Sequence, residues 1–438
     1  MHELALIDRV DVAIVGAGAA GLFAAIWAAR VFRAANTTHT VLAIDGARRL
    51  GAKVLVAGGG RCNVTHDVVD DAAYAGSTRP AIRKVLRAFD VARTVAFFSE
   101  LDVELKREET GKLFPVTDDA RTVLNGLLRA AQDAGVELRH PWRVQSVRHE
   151  HDGFVIEPDP SVATSHDSGL LVPIRANRVI VATGGMALPR SGSDGLGYLF
   201  VRELGHTTTS RIFPALVPIT LDKDRTFIPS LSGLTLNTTI TLWSGTGKKL
   251  VEFTNSTLCT HFGLSGPSVL DISRYVIDAR RFDPAASVTL NWIPGETFDA
   301  LDARLAALRA RSVGRFVFDL IPERLGRAIC TACNIDASMP LDQLRKDDRR
   351  TLALALTRTV LPITGDRGFT HAEVTAGGVP LAELHLDTME SRTRQGLHLC
   401  GEICDVDGRI GGFNFQWAWA SGYLAGRAAA LATLPAES

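Results

Sequence analysis

The segment that most constrains the fold is VDVAIVGAGAAG, which covers residues 10–21. It begins with β-branched and other apolar residues, which predict a short buried strand. Gly16, Gly18 and Gly21 then give the spacing G-x-G-x-x-G, and the apolar stretch 22–32 predicts a helix. A strand, a tight glycine turn and a helix in this order are typical of a dinucleotide site, in which the pyrophosphate lies at the helix N-terminus.

A second predicted strand, 40–44, supports the same interpretation because it ends at Asp45. An acidic residue at this position can accept hydrogen bonds from the ribose hydroxyls of a dinucleotide. Asp45 follows the last glycine at somewhat more than the usual ~20 residues, and the polar stretch 36–39 explains the excess as a longer loop. The alternative is a glycine turn without a ligand, which the flanking strands and helix disfavour.

The composition limits the classes of partner. The 438 residues allow two or three domains, and Lys plus Arg equals Asp plus Glu at 48 each. We therefore expect no nucleic-acid partner, and no run of about 18 apolar residues predicts a membrane span. The six cysteines are unevenly spaced and no signal-peptide pattern is visible, so we expect a cytoplasmic location. The sequence leaves the oligomeric state open.

Further glycine-rich segments follow predicted strands or precede helices. Residues 58–60 are three glycines, which predict a loop whose backbone can lie against a flat ligand, and a flexible surface loop is the alternative. Predicted strands over 178–182 and 397–400 each run into glycines. The pair Gly411-Gly412 and the four residues after it precede a predicted helix over 417–432, whose N–H groups can face an anion or an electron-rich ring.

The segments in between predict an α/β fold with an insertion. Helices are expected over 80–101 and 120–134, and a small β-meander over 136–140, 143–147, 154–156 and 172–174, with a polar loop at 158–169. Strands over 216–221, 236–242 and 287–292, then helices over 298–308, 315–320, 325–333, 341–344 and 350–361, predict a β-rich domain carrying a helical insertion. The predicted domains are 1–204 with 370–438, 205–297 and 298–369.

The chain resembles the YhiN/BaiN-type family of FAD-dependent oxidoreductases almost from end to end. The motifs that carry the resemblance are VGAGAAG at 15–21, GGGRCNVT at 58–65, ATGG at 182–185, THFGLSGP at 260–267, VTAGGV at 374–379, TMES at 388–391, and GE at 401 through GFNFQW at 412–417. The resemblance implies a glutathione-reductase-like Rossmann FAD-binding domain in two segments. Between them it implies an inserted β-barrel-like domain and a small helical domain.

The resemblance also implies which residues bind FAD. Asp45, Ala52 and His66 stand where the family usually has Glu, Arg and Asn, which affects the ribose contact and the loop beside the flavin rather than FAD binding itself. The expected FAD-binding residues are Gly16, Gly18, Ala19, Ala20, Gly21, Asp45, Gly60, Arg61, Cys62, Asn63, Val144, Thr183, Gly184, Gly185, Gly401, Glu402, Asp405, Gly412, Phe413 and Asn414.

Two residues are candidates for catalysis. Cys62 follows an arginine, which could lower its pKa, but no second cysteine lies nearby for a disulfide-reductase mechanism, and packing or flavin contact is the alternative. His261 lies in a segment, 257–273, that Gly263, Gly266 and Pro267 are expected to shape into a turn, and it is a candidate acid–base group or a structural histidine.

Other titratable residues have simpler interpretations. Glu402 and Asp405 could act as bases, but contacts to the ribityl hydroxyls are the simpler role. Cys330 and Cys333 form C-x-x-C on a predicted helix without a second pair, so structural thiols are favoured over a metal or redox site.

The sequence predicts an FAD-dependent oxidoreductase that transfers a hydride between flavin and a small organic molecule. The chain has one G-x-G-x-x-G fingerprint, which FAD would occupy, so NAD(P)H as reductant must share the flavin face transiently. Family members are described both as reductases of enone-type substrates and as amine oxidases that use oxygen. A non-catalytic flavin-binding sensor is a further alternative, and RNA modification is a weaker one because no basic or aromatic stripe supports it.

Overall fold

A computed structural model describes residues 8–162, 172–307 and 311–435. Its contacts divide the chain into two compact units. The first unit combines Met1–Pro214 with Glu373–Ser438, and the second unit is Ala215–Ala372. The further division of the second unit into a β-rich and a helical domain stays a prediction.

The first unit is built on a largely parallel sheet. Four neighbouring pairs are parallel, in the order Leu397–Leu399, Ile174–Val181, Asp8–Val15, Val41–Ile44 and Glu137–Arg139. Leu384–His385 and Glu390–Ser391 extend one edge of the sheet as an antiparallel hairpin. Val144–Glu150 and Gly153–Pro158 form an antiparallel meander on Ile174–Val181. The α/β sheet with an added meander confirms the predicted fold class.

Two helices pack closely beside this sheet. Helix Ala19–Ala34 follows the first strand, and helix Phe413–Leu431 packs against helix Ala19–Ala34. Gly422 and Gly426 make the approach possible, because a Cβ on either would come within 2.7 Å or 2.0 Å of a backbone carbonyl oxygen of the first helix. The other helices of this unit are Ala52–Gly60, Arg79–Ala88, Val91–Glu100, Ala120–Ala134 and Leu196–Glu203. The other strands of this part of the chain are Thr65–His66, Tyr74–Gly76, Leu105–Arg107, Lys112–Pro115, Phe213–Ala215, Val374–Ala376 and Val406–Gly408.

Some predicted boundaries in the first unit were wrong. The single helix expected over 80–101 is two helices, because Asp90 begins the second one and its side chain accepts a hydrogen bond from the N–H of Arg93. The strands expected at 172–174 and 178–182 are one continuous strand. The last helix begins at Phe413 rather than at residue 417. Residues 163–169 of the polar loop predicted at 158–169 lie outside the described residues.

The second unit contains an antiparallel sheet with its own apolar core. The strand order is Thr359–Val360, Ser287–Asn291, Thr235–Trp243, Lys249–Thr260, Gly263–Ser265, Ile219–Leu221 and Ile363–Asp366. Its helices are Pro267–Phe282, Phe298–Ala307, Val313–Phe318, Glu323–Ala332 and Lys346–Thr357. The sequence does not predict the 16-residue helix Pro267–Phe282, because the Gly266-Pro267 pair that precedes and opens it is typical of a turn. Residues 341–343 form only a single 3₁₀ turn.

Across the described ranges, no helix combines the length and the apolar character that a membrane crossing requires.

Candidate cofactor site

The glycine turn of the first unit leaves no space for a side chain at Gly16 and Gly21, but it leaves space at Gly18. A Cβ on Gly16, whose φ is +100°, would lie 2.5 Å from the carbonyl oxygen of Ala182. A Cβ on Gly21 would lie 1.8 Å from the carbonyl oxygen of Gly16, whereas a Cβ on Gly18 would have no neighbour within 4 Å. Gly18 also precedes helix Ala19–Ala34, which no side chain caps. The open backbone at a helix N-terminus fits a pyrophosphate.

The carboxylate of Asp45 holds this turn in place. Its Oδ2 accepts a hydrogen bond from the N–H of Ala17 and its Oδ1 accepts one from the N–H of Ala47, both at 2.8 Å. Burial raises the pKa of Asp45, and the two backbone donors oppose that rise. The expected contact between Asp45 and a ribose stays a prediction. The structure adds that this side chain connects the second strand to the glycine turn.

The triple-glycine segment turns sharply at the end of helix Ala52–Gly60. Gly58 and Gly59 have φ values of +58° and +70°, so the backbone leaves helical geometry there, as expected for a loop. Arg61 places its guanidinium 4.0 Å from the ring centroid of Phe114 and donates to Glu108 at 2.6 Å. The side chain of Arg61 is therefore held by protein groups.

Asn63 differs from Arg61, because it is only 7% exposed and its amide oxygen has no hydrogen-bond partner among the described residues. A buried acceptor without a partner costs free energy unless a ligand donor meets it. This free acceptor beside the glycine loop fits a cofactor that carries N–H or O–H groups. The role of Asn63 toward FAD stays a prediction.

The expectation that Arg61 lowers the pKa of Cys62 was wrong. Cys62 is fully buried, and burial raises its pKa to about 12. Its thiol is therefore protonated near neutral pH and unsuited to attack as a thiolate. Burial also raises the pKa of Cys330, and it raises that of Cys333 to about 11. All six cysteines are free thiols.

A carboxylate connects the segments expected to surround the flavin. Glu402 accepts hydrogen bonds from Nζ of Lys53 at 2.6 Å and from the N–H of Thr375 at 2.8 Å. The hydroxyl oxygen of Thr375 in turn accepts from the N–H groups of Met186 and Ala187, directly after Gly185. Sequence reasoning missed Lys53 and Thr375. No sequence pattern around Lys53 indicates a role in the site, whereas Thr375 lies in the VTAGGV motif.

The last helix of the first unit begins within the other predicted FAD segment. Gly412 precedes it with a φ of +95°, no side chain caps it, and a Cβ at this position would lie 2.5 Å from the backbone of Thr65. Asn414 holds the loop by accepting from the N–H of Gly408 and donating to its carbonyl oxygen. The ring of Phe413 stacks on His66 at 4.9 Å. An uncapped helix N-terminus stabilises negative charge in a ligand placed before it.

The remaining predicted site residues are distributed over both units. Val144 is a buried residue at the start of the meander, and the carboxylate of Asp405 accepts a hydrogen bond from the hydroxyl of Ser77. The hydroxyl of Thr183 is buried and finds no partner within the described ranges. His261 is exposed in the turn between strands Lys249–Thr260 and Gly263–Ser265 of the second unit. Its proposed acid–base role stays a prediction.

Known proteins resemble this chain over nearly its whole length. The family model described as the HI0933-like protein Rossmann domain matches residues 10–428. A 3-dehydro-bile acid delta(4,6)-reductase of Clostridium scindens is 34% identical over 424 residues, which are 96% of this chain and 98% of the relative. A ribosomal RNA dihydrouridine synthase of Escherichia coli is 31% identical over 423 residues, 95% of this chain and 97% of the relative.

A solved structure supports the fold. The 3-ketosteroid delta1-dehydrogenase of Sterolibacterium denitrificans, in complex with 1,4-androstadiene-3,17-dione, superposes with a TM-score of 0.51 at 12% identity. The match covers 97% of this chain and 100% of that one. The glycine turn, the acidic residue after the second strand and the free acceptor of Asn63 fit FAD. The chain belongs to the HI0933-like family of FAD-binding, Rossmann-fold oxidoreductases.

Proposed function

We propose that this protein is a reductase of activated carbon–carbon double bonds, with NAD(P)H as electron donor and a small organic α,β-unsaturated carbonyl compound as substrate. The observation that carries this reaction class comes from the two relatives that span almost the whole chain. A delta(4,6)-reductase and a dihydrouridine synthase both bear names that describe the saturation of a carbon–carbon double bond. The shared chemistry supports the same reaction type here.

FAD, held at the glycine turn and the Gly412 helix start, would supply hydride transfer from the reduced nicotinamide to the β-carbon of the substrate. A proton completes the saturation at the α-carbon, so two electrons and two hydrogens enter the double bond. The N-terminus of helix Phe413–Leu431, uncapped at Gly412, is suited to stabilise the negative charge that accompanies flavin reduction. The buried oxygen of Asn63 is suited to accept a hydrogen bond from the cofactor.

The proposal also specifies the electron donor, the substrate class and the cellular location. A single dinucleotide fingerprint favours a nicotinamide that visits the flavin transiently. A small substrate is favoured over RNA because the positive and negative side chains balance at 48 each. Six free cysteines favour a reducing, cytoplasmic location.

The deciding experiment is anaerobic stopped-flow absorbance of the purified flavoprotein. NADH and NADPH are mixed separately with the oxidised protein, and the reduced protein is then mixed with a 3-oxo-4-ene steroid, a simple cyclic enone, or ribosomal RNA. We expect rapid bleaching with one nicotinamide and reoxidation by an enone. A Gly18→Val variant, which fills the open space at the turn, is expected to lose FAD and serves as the control.

Each other outcome overturns a defined part of the proposal. Reoxidation by RNA but by no enone would assign a nucleic-acid substrate. No bleaching by either nicotinamide, with reduction by an amine and rapid reoxidation by oxygen, would assign an amine oxidase. A flavin reducible by dithionite but by none of these reactants would indicate a non-catalytic flavin-binding protein.

A further inference from the structure

Glu402 is joined at both carboxylate oxygens to groups far apart in the sequence. Its Oε2 lies 2.6 Å from Nζ of Lys53, and its Oε1 lies 2.8 Å from the backbone nitrogen of Thr375. Lys53 belongs to the helix that runs directly into the triple glycine, and Thr375 belongs to strand Val374–Ala376. One carboxylate thus fixes two segments of the first unit.

The surroundings of Glu402 are glycine-rich segments expected to bind FAD. A Cβ on Gly185 would lie 3.0 Å from Oε1 of Glu402 and 2.4 Å from the hydroxyl oxygen of Thr375. A Cβ on the preceding residue, Gly401, would lie 2.8 Å from the Cβ of Ala20 in the first turn of helix Ala19–Ala34. The pair formed by Lys53 and Glu402 therefore lies among backbone segments that the sequence resemblance implies for FAD binding.

This ion pair is more protected from water than typical surface pairs. The side chains of Lys53 and Glu402 are 25% and 19% exposed, whereas those of Lys84 and Asp387, which pair at 2.7 Å, are 50% and 75% exposed. A half-buried charge is weakly screened, so it acts on neighbouring groups over several ångströms. Removing one partner leaves the other as an uncompensated charge.

We propose that Lys53 and Glu402 form a charge pair that sets the reduction potential of bound FAD, with Glu402 as a positioning residue that holds and partly neutralises the Lys53 ammonium. Reduced flavin carries negative charge near N1 and O2, so a nearby cation favours reduction and a nearby anion opposes it. The proposal depends on FAD binding and is independent of the substrate and of the electron donor.

The test is a redox titration of the flavin absorbance in three single variants of the holoprotein. Lys53→Met leaves the carboxylate uncompensated and is expected to lower the midpoint potential. Glu402→Gln leaves the ammonium uncompensated and is expected to raise it. Each change is expected to alter the ratio of reduced to oxidised flavin at a fixed potential by about threefold or more. Lys53→Arg keeps the charge and is expected to stay near the wild-type value.

Controls separate this effect from loss of structure. Lys84→Met removes an equivalent charge from the exposed pair and is expected to leave the potential unchanged. The double variant Lys53→Met/Glu402→Gln removes both charges and is expected to return toward the wild-type potential. FAD affinity, measured by flavin fluorescence, is recorded for every variant.

Shifts of the two single variants in the same direction, or no shift in either, would overturn the proposal while leaving FAD binding intact. If Glu402→Gln does not retain FAD, the comparison of Lys53→Met with Lys53→Arg still decides. Equal potentials in these two variants would also overturn the proposal.

Discussion

Gly16 and Gly18 lie in the same turn but differ in what a side chain would meet. A Cβ at Gly16 collides with the carbonyl oxygen of Ala182, and its φ of +100° disfavours any L-residue. Gly18 has a φ of −78° and open space around it. The close packing at Gly16 therefore serves the fold, whereas the space beside Gly18 is open to a ligand.

We predict that alanine at Gly16 mainly lowers the stability of the protein, whereas alanine at Gly18 mainly weakens FAD binding. Gly16→Ala should lower the free energy of unfolding of the apoprotein by about 1–3 kcal/mol, because it strains the backbone and meets Ala182. Gly18→Ala should change it by less than about 1 kcal/mol and still weaken FAD binding by about tenfold or more, because its methyl group occupies the pyrophosphate side of the turn. Urea denaturation and FAD titration measure both effects. Unweakened FAD binding in Gly18→Ala would contradict this assignment.

Cys62 should be unreactive in the folded protein. Burial raises its pKa to about 12, so the thiol stays protonated at about pH 8, and the side chain has no exposed surface. We predict that iodoacetamide leaves Cys62 unmodified in the native protein and modifies it after unfolding in urea, as measured by peptide mass spectrometry. Cys62→Ala should also retain flavin reduction by the electron donor. Loss of reduction with FAD still bound would restore Cys62 as a catalytic candidate.

Among the elements, the first and last helices depend on small residues where they cross. A Cβ on Gly426 would lie 2.0 Å from the carbonyl oxygen of Ala24, and backbone cannot move aside as a flexible side chain can. We predict that Gly426→Ala lowers the free energy of unfolding by about 2 kcal/mol or more, measured by urea denaturation. Arg427→Ala, an exposed position on the same helix, is the control and should have little effect. Equal stability of both variants would show that the helices can separate without cost.

His398, in the strand beside the hairpin formed by Leu384–His385 and Glu390–Ser391, should make the free energy of unfolding depend on pH. His398 is buried in the neighbouring strand Leu397–Leu399 and contacts the carbonyl oxygen of Thr388 at 3.0 Å, and burial lowers its pKa from 6.5 to about 4. The unfolded chain therefore binds this proton more readily. The contribution of His398 to stability is complete above pH 6.5 and is lost as the pH falls toward 4, by at most about 3 kcal/mol.

We predict that His398→Gln weakens this dependence. The loss in free energy of unfolding between about pH 7 and about pH 5 should be smaller in this variant than in the wild type, as measured by urea denaturation at each pH. His385→Gln changes an exposed histidine of the same hairpin and should retain the wild-type dependence. An unchanged pH dependence in His398→Gln would show that other groups cause it.

The elements that could be predicted from sequence are those with a local signal. The first strand, the glycine turn and helix Ala19–Ala34 follow from apolar periodicity and glycine spacing. Helix Pro267–Phe282 could not be recognised, because its Gly-Pro start resembles a turn and many of its residues are polar. The contact between Lys53 and Glu402 joins residues 349 positions apart, so no local sequence pattern predicts it. The burial of Cys62 depends on packing against distant residues, so it could not be predicted from local sequence either.

For the whole molecule, the division into two units has a testable consequence for folding. The second unit, Ala215–Ala372, is one uninterrupted stretch of chain, whereas the first unit needs two separated segments. The second unit also has its own cluster of buried apolar residues, which includes Ile240, Leu290, Trp292, Phe316 and Leu352. A continuous chain with its own core meets the requirements for independent folding.

We predict that residues 215–372 fold when produced alone, with a cooperative thermal transition and a near-ultraviolet circular dichroism signal from the buried Trp292. This fragment should stay colourless with FAD, because the glycine turn, Asn63 and the Gly412 helix start all belong to the first unit. Trp292→Ala should abolish the transition by emptying the core. A broad, non-cooperative transition in the unmodified fragment would mean that this unit requires the rest of the chain to fold, and a bound flavin would place part of the cofactor site in it.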